Sequence, residues 1–201
     1  MEHLLKLETY EEHERYLPST GKFIIAQFNT DSVVVYQGFK ASIAGHAVEN
    51  TQFGGNDYDF SRNTCLKPSF LWMMHYSGWA KNKDQENILA IRMMRSGFEE
   101  LLQLSSSSAC KDVSLDWEAY HDLQGMKSDR KAARITISGE ILQRFNNEWI
   151  ISIQDITPFV QQQQDLILAN KMNKVKVPVE RAYAPADLSL LRKLDATTIS
   201  L

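Results

Sequence analysis

Lys67-Pro68-Ser69-Phe70-Leu71-Trp72-Met73-Met74-His75-Tyr76-Ser77-Gly78-Trp79-Ala80 is the stretch from which the fold is read. Pro68 suits the first turn of a helix, where its missing N–H leaves no bond unmade. The helix this predicts runs to about Trp79, with Gly78 near its end. It is apolar nearly all round and so belongs at the centre of a fold. Phe70, Trp72, Met73, Met74 and Trp79 fall at helical spacing and read as core before they read as a base-stacking surface.

The flanks supply strands. Thr64 to Lys67 is a short extended piece. Phe23–Phe28 and Val33–Phe39 read as strands joined by the turn residues Asn29-Thr30-Asp31-Ser32, a β-hairpin. The run Val33-Val34-Val35 suits a strand buried on both faces. Ala41 to Asn50 follows as a helix, and Phe53 to Ser61 as a Gly-rich loop. Beyond the central helix, Asn87–Met94 is a strand. Ser96-Gly97-Phe98-Glu99 has capping-box spacing and predicts a helix through Leu104. Ser105 to Ser108 is a loop, and residues 111–131 give no clear pattern. Arg134–Ser138 and Trp149–Ile156 alternate as strands, with a helical piece, Glu140–Phe145, between them. Thr157 as cap and Pro158 in the first turn open a last helix, to about Lys171.

Strands and helices interleave without strict βαβ order. The expectation is one α+β domain with a mixed, mainly antiparallel sheet. An N-terminal helical segment (1–21) precedes a main domain (22–183), and a loose tail (184–201) follows.

The 201 residues carry a net charge of −3, 43% hydrophobic and 23% charged residues. Such a chain builds its core without disulfides or metals, and it lacks the overall basic field that draws a protein onto nucleic acid. Cys65 and Cys110 have no zinc or redox spacing and read as small buried apolar groups, so no metal site is expected. The charged start, opening Met1-Glu2-His3-Leu4, does not read as a leader peptide. Phe70 to Ala80 is too short to span a bilayer. A cytoplasmic or nuclear location without membrane contact is the expectation. No G-x-S-x-G, P-loop, G-x-G-x-x-G or H-E-x-x-H pattern occurs.

The block Lys67 to Met74, continued by Ser77-Gly78-Trp79-Ala80, resembles the signature of domain-of-unknown-function family 4291. Val35-Tyr36-Gln37 with Ile43-Ala44 and Ala47-Val48, Gln85-Glu86 with Leu89-Ala90-Ile91, Gly97-Phe98-Glu99, Trp149-Ile150 with Asp155-Ile156-Thr157, and Glu180-Arg181 with Tyr183 resemble its other blocks. The resemblance covers roughly residues 22–183 and implies a shared fold and site, not a reaction. Two departures stand out. The family usually carries arginine where this chain has Ile25 and Tyr76.

Candidate site residues follow. Lys67 and Ser69 flank Pro68 at a helix N-terminus, where free N–H groups and the helix dipole attract anions, and Arg62 lies just upstream. Tyr36 and Gln37 end the buried strand, a usual place for a ligand. A small anionic, nucleotide-like ligand is the leading expectation. Its sharpest form is an NAD-using, ADP-ribosyltransferase-like enzyme, with Glu140, Glu180 and His75 as candidate catalytic groups. A nucleic-acid module built on Lys127, Arg130, Lys131 and Arg134 is one alternative. A non-catalytic interaction domain, fitting the missing arginines, is another. Asp57 and Asp59 have cation spacing but no third ligand.

Overall fold

The computed structural model describes residues 5–198. The charged start on which the leader reading rests, and residues 199–201 of the expected tail, lie outside the described residues. The centre is a three-stranded antiparallel sheet of β4 (Ser32–Phe39), β6 (Asn87–Met94) and β9 (Ile150–Asp155), with Val35 opposite Ile91 and Ile91 opposite Ile153. Side chains alternate across it, so each face carries its own apolar row. Val33, Val35, Leu89, Ile91 and Met93 pack with α2 (Ala41–Asn50), α4 (Arg95–Ser105) and α5 (Gly139–Arg144). Val34, Tyr36, Ile88 and Ala90 pack with α3 (Phe70–Ser77) and α6 (Thr157–Leu168). The valine run is buried on both faces, and α3 sits in the core as its composition requires.

A second sheet is built on β8 (Lys127–Ile137). One edge takes β7 (Val113–His121); the other takes β2 (Gly21–Phe23) in parallel and β5 (Thr64–Leu66) antiparallel. The β7–β8 hairpin fills the stretch that gave no clear pattern. Its turn is held by Asp122, whose Oδ1 accepts from the N–H groups of Gln124 and Met126, with Gly125 at φ +79°. Two small ladders complete the fold. In one, β1 (Leu7–Thr9) pairs with β10 (Lys176–Pro178); in the other, β3 (Ile25–Ala26) pairs with β11 (Arg181–Ala182).

Several local expectations are corrected. The strand over 23–28 divides into β2 and β3, which serve different sheets. The hairpin is reduced to the Phe28–Val33 bridge with the Asn29 N–H to Ser32 O and Val34 N–H to Gln27 O bonds (2.9 Å each) around the expected turn. Ser96 does not cap α4. Glu99, its expected partner, instead accepts from the Tyr183 hydroxyl and the Ala186 N–H. Thr157 does not cap α6; its own N–H donates to Asp155 Oδ1 (2.8 Å). A capping box forms instead at the start of α1 (Tyr10–Tyr16), between Thr9 and Glu12. The segment expected as a loose tail carries α7 (Ser189–Lys193), with Leu190, Leu191 and Leu194 buried. Thr197 is tied by its N–H and hydroxyl to the backbone of Lys22.

Candidate functional site

The end of β4 and the approach to α3 are in direct contact. Tyr36 N–H donates to Lys67 O (2.8 Å) and Lys67 N–H to Tyr36 O (3.3 Å). This bridge links the two sheets and brings together the two sequence features expected to hold ligand.

The tip of α3 is closed from within. Phe70 N–H, at the first turn, donates to Glu180 Oε1 (2.8 Å). The position where a phosphate was expected is therefore filled by the protein's own carboxyl group. Glu180 and Tyr36 are fully buried and Ser69 is 1% exposed. Burial pushes the Glu180 carboxyl well above its usual range, against the lowering pull of the Phe70 N–H. Burial and then Glu180 likewise push the Tyr36 hydroxyl up. Tyr36 OH, Ser69 Oγ and Glu180 Oε2 have no hydrogen-bond partner of normal geometry, although Tyr36 and Glu180 shift each other's proton equilibria. Ser69 and Tyr36 are thus parts of an inner polar cluster rather than ligand contacts. Next to it, His13 Nε2 meets Tyr120 OH at 3.0 Å, and burial lowers the His13 pKa to about 4. Glu8 accepts both ends of the Arg181 guanidinium (2.6 and 2.7 Å).

Beside this closed tip a cleft of about 470 Å³ opens to solvent, within the range of small-ligand sites. Gln37, Arg62 and Lys67 line it as expected; Tyr36 and Ser69 do not. Gln37 is fixed by Nε2 donating to Thr64 Oγ1 (2.6 Å) and Cys65 O (3.0 Å), which leaves its Oε1 buried and unpartnered. Gln85, also in the lining, has an unpartnered Oε1 as well. Gly38 makes the close approach possible, since a Cβ there would sit 2.9 Å from Met73 and 3.1 Å from Gln85. The wall leading to Gln85 is strained. Trp79, Ala80 and Asp84 all have left-handed backbone (φ +57°, +64°, +62°), a conformation costing non-glycine residues about 1–2 kcal/mol each.

Lys67 dominates the cleft. It is 5% exposed, and its Nζ lies 4.2 Å from the Tyr76 ring centre and 5.4 Å from that of Trp72. Those rings stack on each other (centroids 5.1 Å, 14°). Among the described residues no carboxylate pairs with Lys67, whereas Lys22 meets Asp195 and Lys40 meets Asp57. Burial lowers the Lys67 pKa to about 8; Cys65 on the same strand face works against this, and Arg134 works with it. The pull of the rings on the cation, about 1 kcal/mol, is smaller than this shift of more than two pH units.

The other candidates lie outside the cleft, except Asp57 and Asp59, which belong to its lining. His75 is exposed and stacks on His121 (centroids 3.4 Å), outside the cleft lining. Glu140 is exposed in the first turn of α5, also outside it. The basic patch is divided by strand alternation. Lys127 and Lys131 are exposed on one face of β8. On the other, Arg130 pairs with Glu14 over the Tyr120 ring, and Arg134 pairs with Asp116 and Glu118. Asp57 and Asp59 bond to Lys40 and Ser61. Among the described residues no three His, Cys, Asp or Glu side chains are grouped to hold a metal ion, and no helix is long and apolar enough to cross a membrane.

The model of the domain of unknown function DUF4291 matches residues 23–183. The chain belongs to this family. No curated protein matches it. The DUF4291 region contains every cleft residue and Glu180; α1 and α7 lie outside it. The two positions where DUF4291 usually has arginine differ in setting. Ile25 is fully buried in the core, whereas Tyr76 lines the cleft under Lys67. Sequence reasoning missed Tyr58, Cys65, Lys83 and Gln85 as cleft residues. Cys65 was legible in principle, since it sits two residues before Lys67 on one extended segment and so shares its face.

Proposed function

We propose that the DUF4291 chain binds a small anionic, nucleotide-like ligand in the cleft beside α3. Lys67 and the exposed Arg62 meet the charged group, while the Tyr76 ring and the amides of Gln37 and Gln85 meet the uncharged part. The observation that carries this reading is the nearly buried, unpaired Lys67. A buried cation without a counter-charge destabilises a fold, and an incoming anion supplies that charge. Two unpartnered amide oxygens in the lining, on Gln37 and Gln85, add acceptors. The helix tip itself takes no part, because Glu180 occupies it.

ADP-ribosyl transfer needs a carboxylate facing the reacting ribose. Neither Glu140 nor Glu180 lines the cleft, whose carboxylates are Asp57, Asp59 and Asp84; the proposal covers binding of an anionic ligand, with NAD one member of the class. The nucleic-acid reading loses its continuous basic stripe to the ion pairs of Arg130 and Arg134.

Thermal unfolding with AMP, ADP, ATP, NAD and orthophosphate tests the reading. A ligand at a hundred times its Kd adds about 2.7 kcal/mol, a rise of roughly 5 °C or more for a chain of this size. The rise is expected for at least one nucleotide and is expected to vanish in Lys67→Met. No shift across the panel, or a shift retained in the variant, overturns it.

A further inference from the structure

Resting on that reading of the cleft as an anion site, we propose that Lys67 is a nucleophile whose amine condenses with the aldehyde or ketone carbon of a phosphorylated carbonyl compound held in the cleft, forming an imine. Lys67 is at once nearly buried and part of the cleft lining, with its Nζ over the ring of Tyr76, another lining residue. No carboxylate holds it, unlike Lys22 and Lys40. The stacked Trp72 and Tyr76 rings fix where it points. An amine so placed has lost its hydration without gaining an ionic partner, which favours the uncharged, nucleophilic form. The lowering of its pKa to about 8 follows from the same burial.

The chemistry is self-contained. The Nζ lone pair attacks the carbonyl carbon, and the carbonyl π pair moves to oxygen, which takes up a proton as nitrogen releases one. The carbinolamine then loses its hydroxyl with a proton as water, leaving the C=N bond. No metal, oxidant or activated leaving group is needed. The unpartnered amide oxygens of Gln37 and Gln85 on the walls are acceptors for the carbinolamine hydroxyl.

The test treats the full chain at about pH 7.5 with limiting pyridoxal 5′-phosphate, or with unphosphorylated pyridoxal, then reduces with cyanoborohydride and maps lysines by peptide mass spectrometry. Lys67 is expected to be labelled roughly tens of times faster than exposed lysines such as Lys81 and Lys171, the free-base advantage of an amine near pKa 8. Lys67→Arg, shown folded by circular dichroism, is expected to lose that fast label alone. Labelling spread over surface lysines with Lys67 untouched overturns the inference. Competition by AMP, ADP, ATP and NAD separates the two proposals. A labelled Lys67 in a protein that none of them protects or shifts in melting supports the nucleophile and overturns nucleotide binding. An unlabelled Lys67 in a protein that AMP stabilises overturns the nucleophile and leaves binding intact.

Discussion

Lys67 and Glu180 are both ionisable groups held largely or wholly out of water, and each is held in an unusual state. Lys67 has its pKa lowered from 10.5 to about 8, so the unfolded chain binds more protons between those values and wild-type stability rises with pH across that window. Below it the burden is complete. Lys67→Met is expected to stabilise the protein at pH 7, by at most about 3 kcal/mol, with the gain shrinking toward pH 10. Urea denaturation at both pH values measures this. The same variant is expected to weaken nucleotide binding by about 100-fold or more. Glu180 works in the opposite sense. Its folded pKa lies above the ordinary 4.5, so the folded state keeps a proton the unfolded state loses, and stability falls as pH rises past 4.5. Glu180→Gln keeps the acceptor for Phe70 N–H and removes that slope, so the variant is expected to gain on wild type from pH 4.5 upward. Glu180→Ala leaves the N–H unmet and a void behind it, costing about 2–3 kcal/mol or more. His13, lowered to about 4, makes stability rise between pH 4 and 6.5, so the Glu180 effect is read as a variant-minus-wild-type difference.

At the scale of elements, the helices and the two-faced strand were legible because their patterns are local. The all-round apolar helix, the valine run and the alternation of β9 each needed only a short window. What was not legible depended on partners far away in the chain. Glu99 matched a capping box by spacing, yet Tyr183 and Ala186 claim its carboxylate across more than 80 residues. Ser69 looked like an open anion site until Glu180, 110 residues on from Phe70, filled the helix tip. The β7–β8 hairpin carries charged residues on its exposed face, which hid its alternation, and its Asp122–Gly125 turn was its best local signal. Packing between α4 and the π-helical turn Phe145–Trp149 gives a sharp test. A Cβ on Gly97 would lie 2.5 Å from the Trp149 ring. Gly97→Ala is expected to cost about 2 kcal/mol or more, through displacement of that indole, measured as a lower urea midpoint with unchanged m-value.

Across the whole molecule, the cleft is a by-product of joining two sheets at the Tyr36–Lys67 bridge, with residues of the segment 57–65 and of the strained 79–85 turn in its lining. The sequence placed Gln37, Arg62 and Lys67 correctly near one another, because two short motifs flank that junction. It missed Lys83 and Gln85, which a loop supplies. The C-terminal segment is a further whole-molecule feature. Leu190 and Leu194 complete the core under α4, Leu194 O accepts from the Trp117 indole, and Thr197 clasps Lys22. Truncation after Ala184 is therefore expected to lower stability by several kcal/mol, although it removes nothing within the family boundary. Equilibrium unfolding of the truncated chain checks this.

On the proposed reading, the Lys67 cleft is where this protein meets its ligand. The most direct measurement is an amide chemical-shift titration of the folded chain with ADP, repeated with Lys67→Met. The expected result is saturable shifts confined to residues 37–40, 57–67 and 83–85, abolished by the substitution. Shifts centred instead on Lys127–Lys131 of β8, or none at millimolar nucleotide, would contradict it.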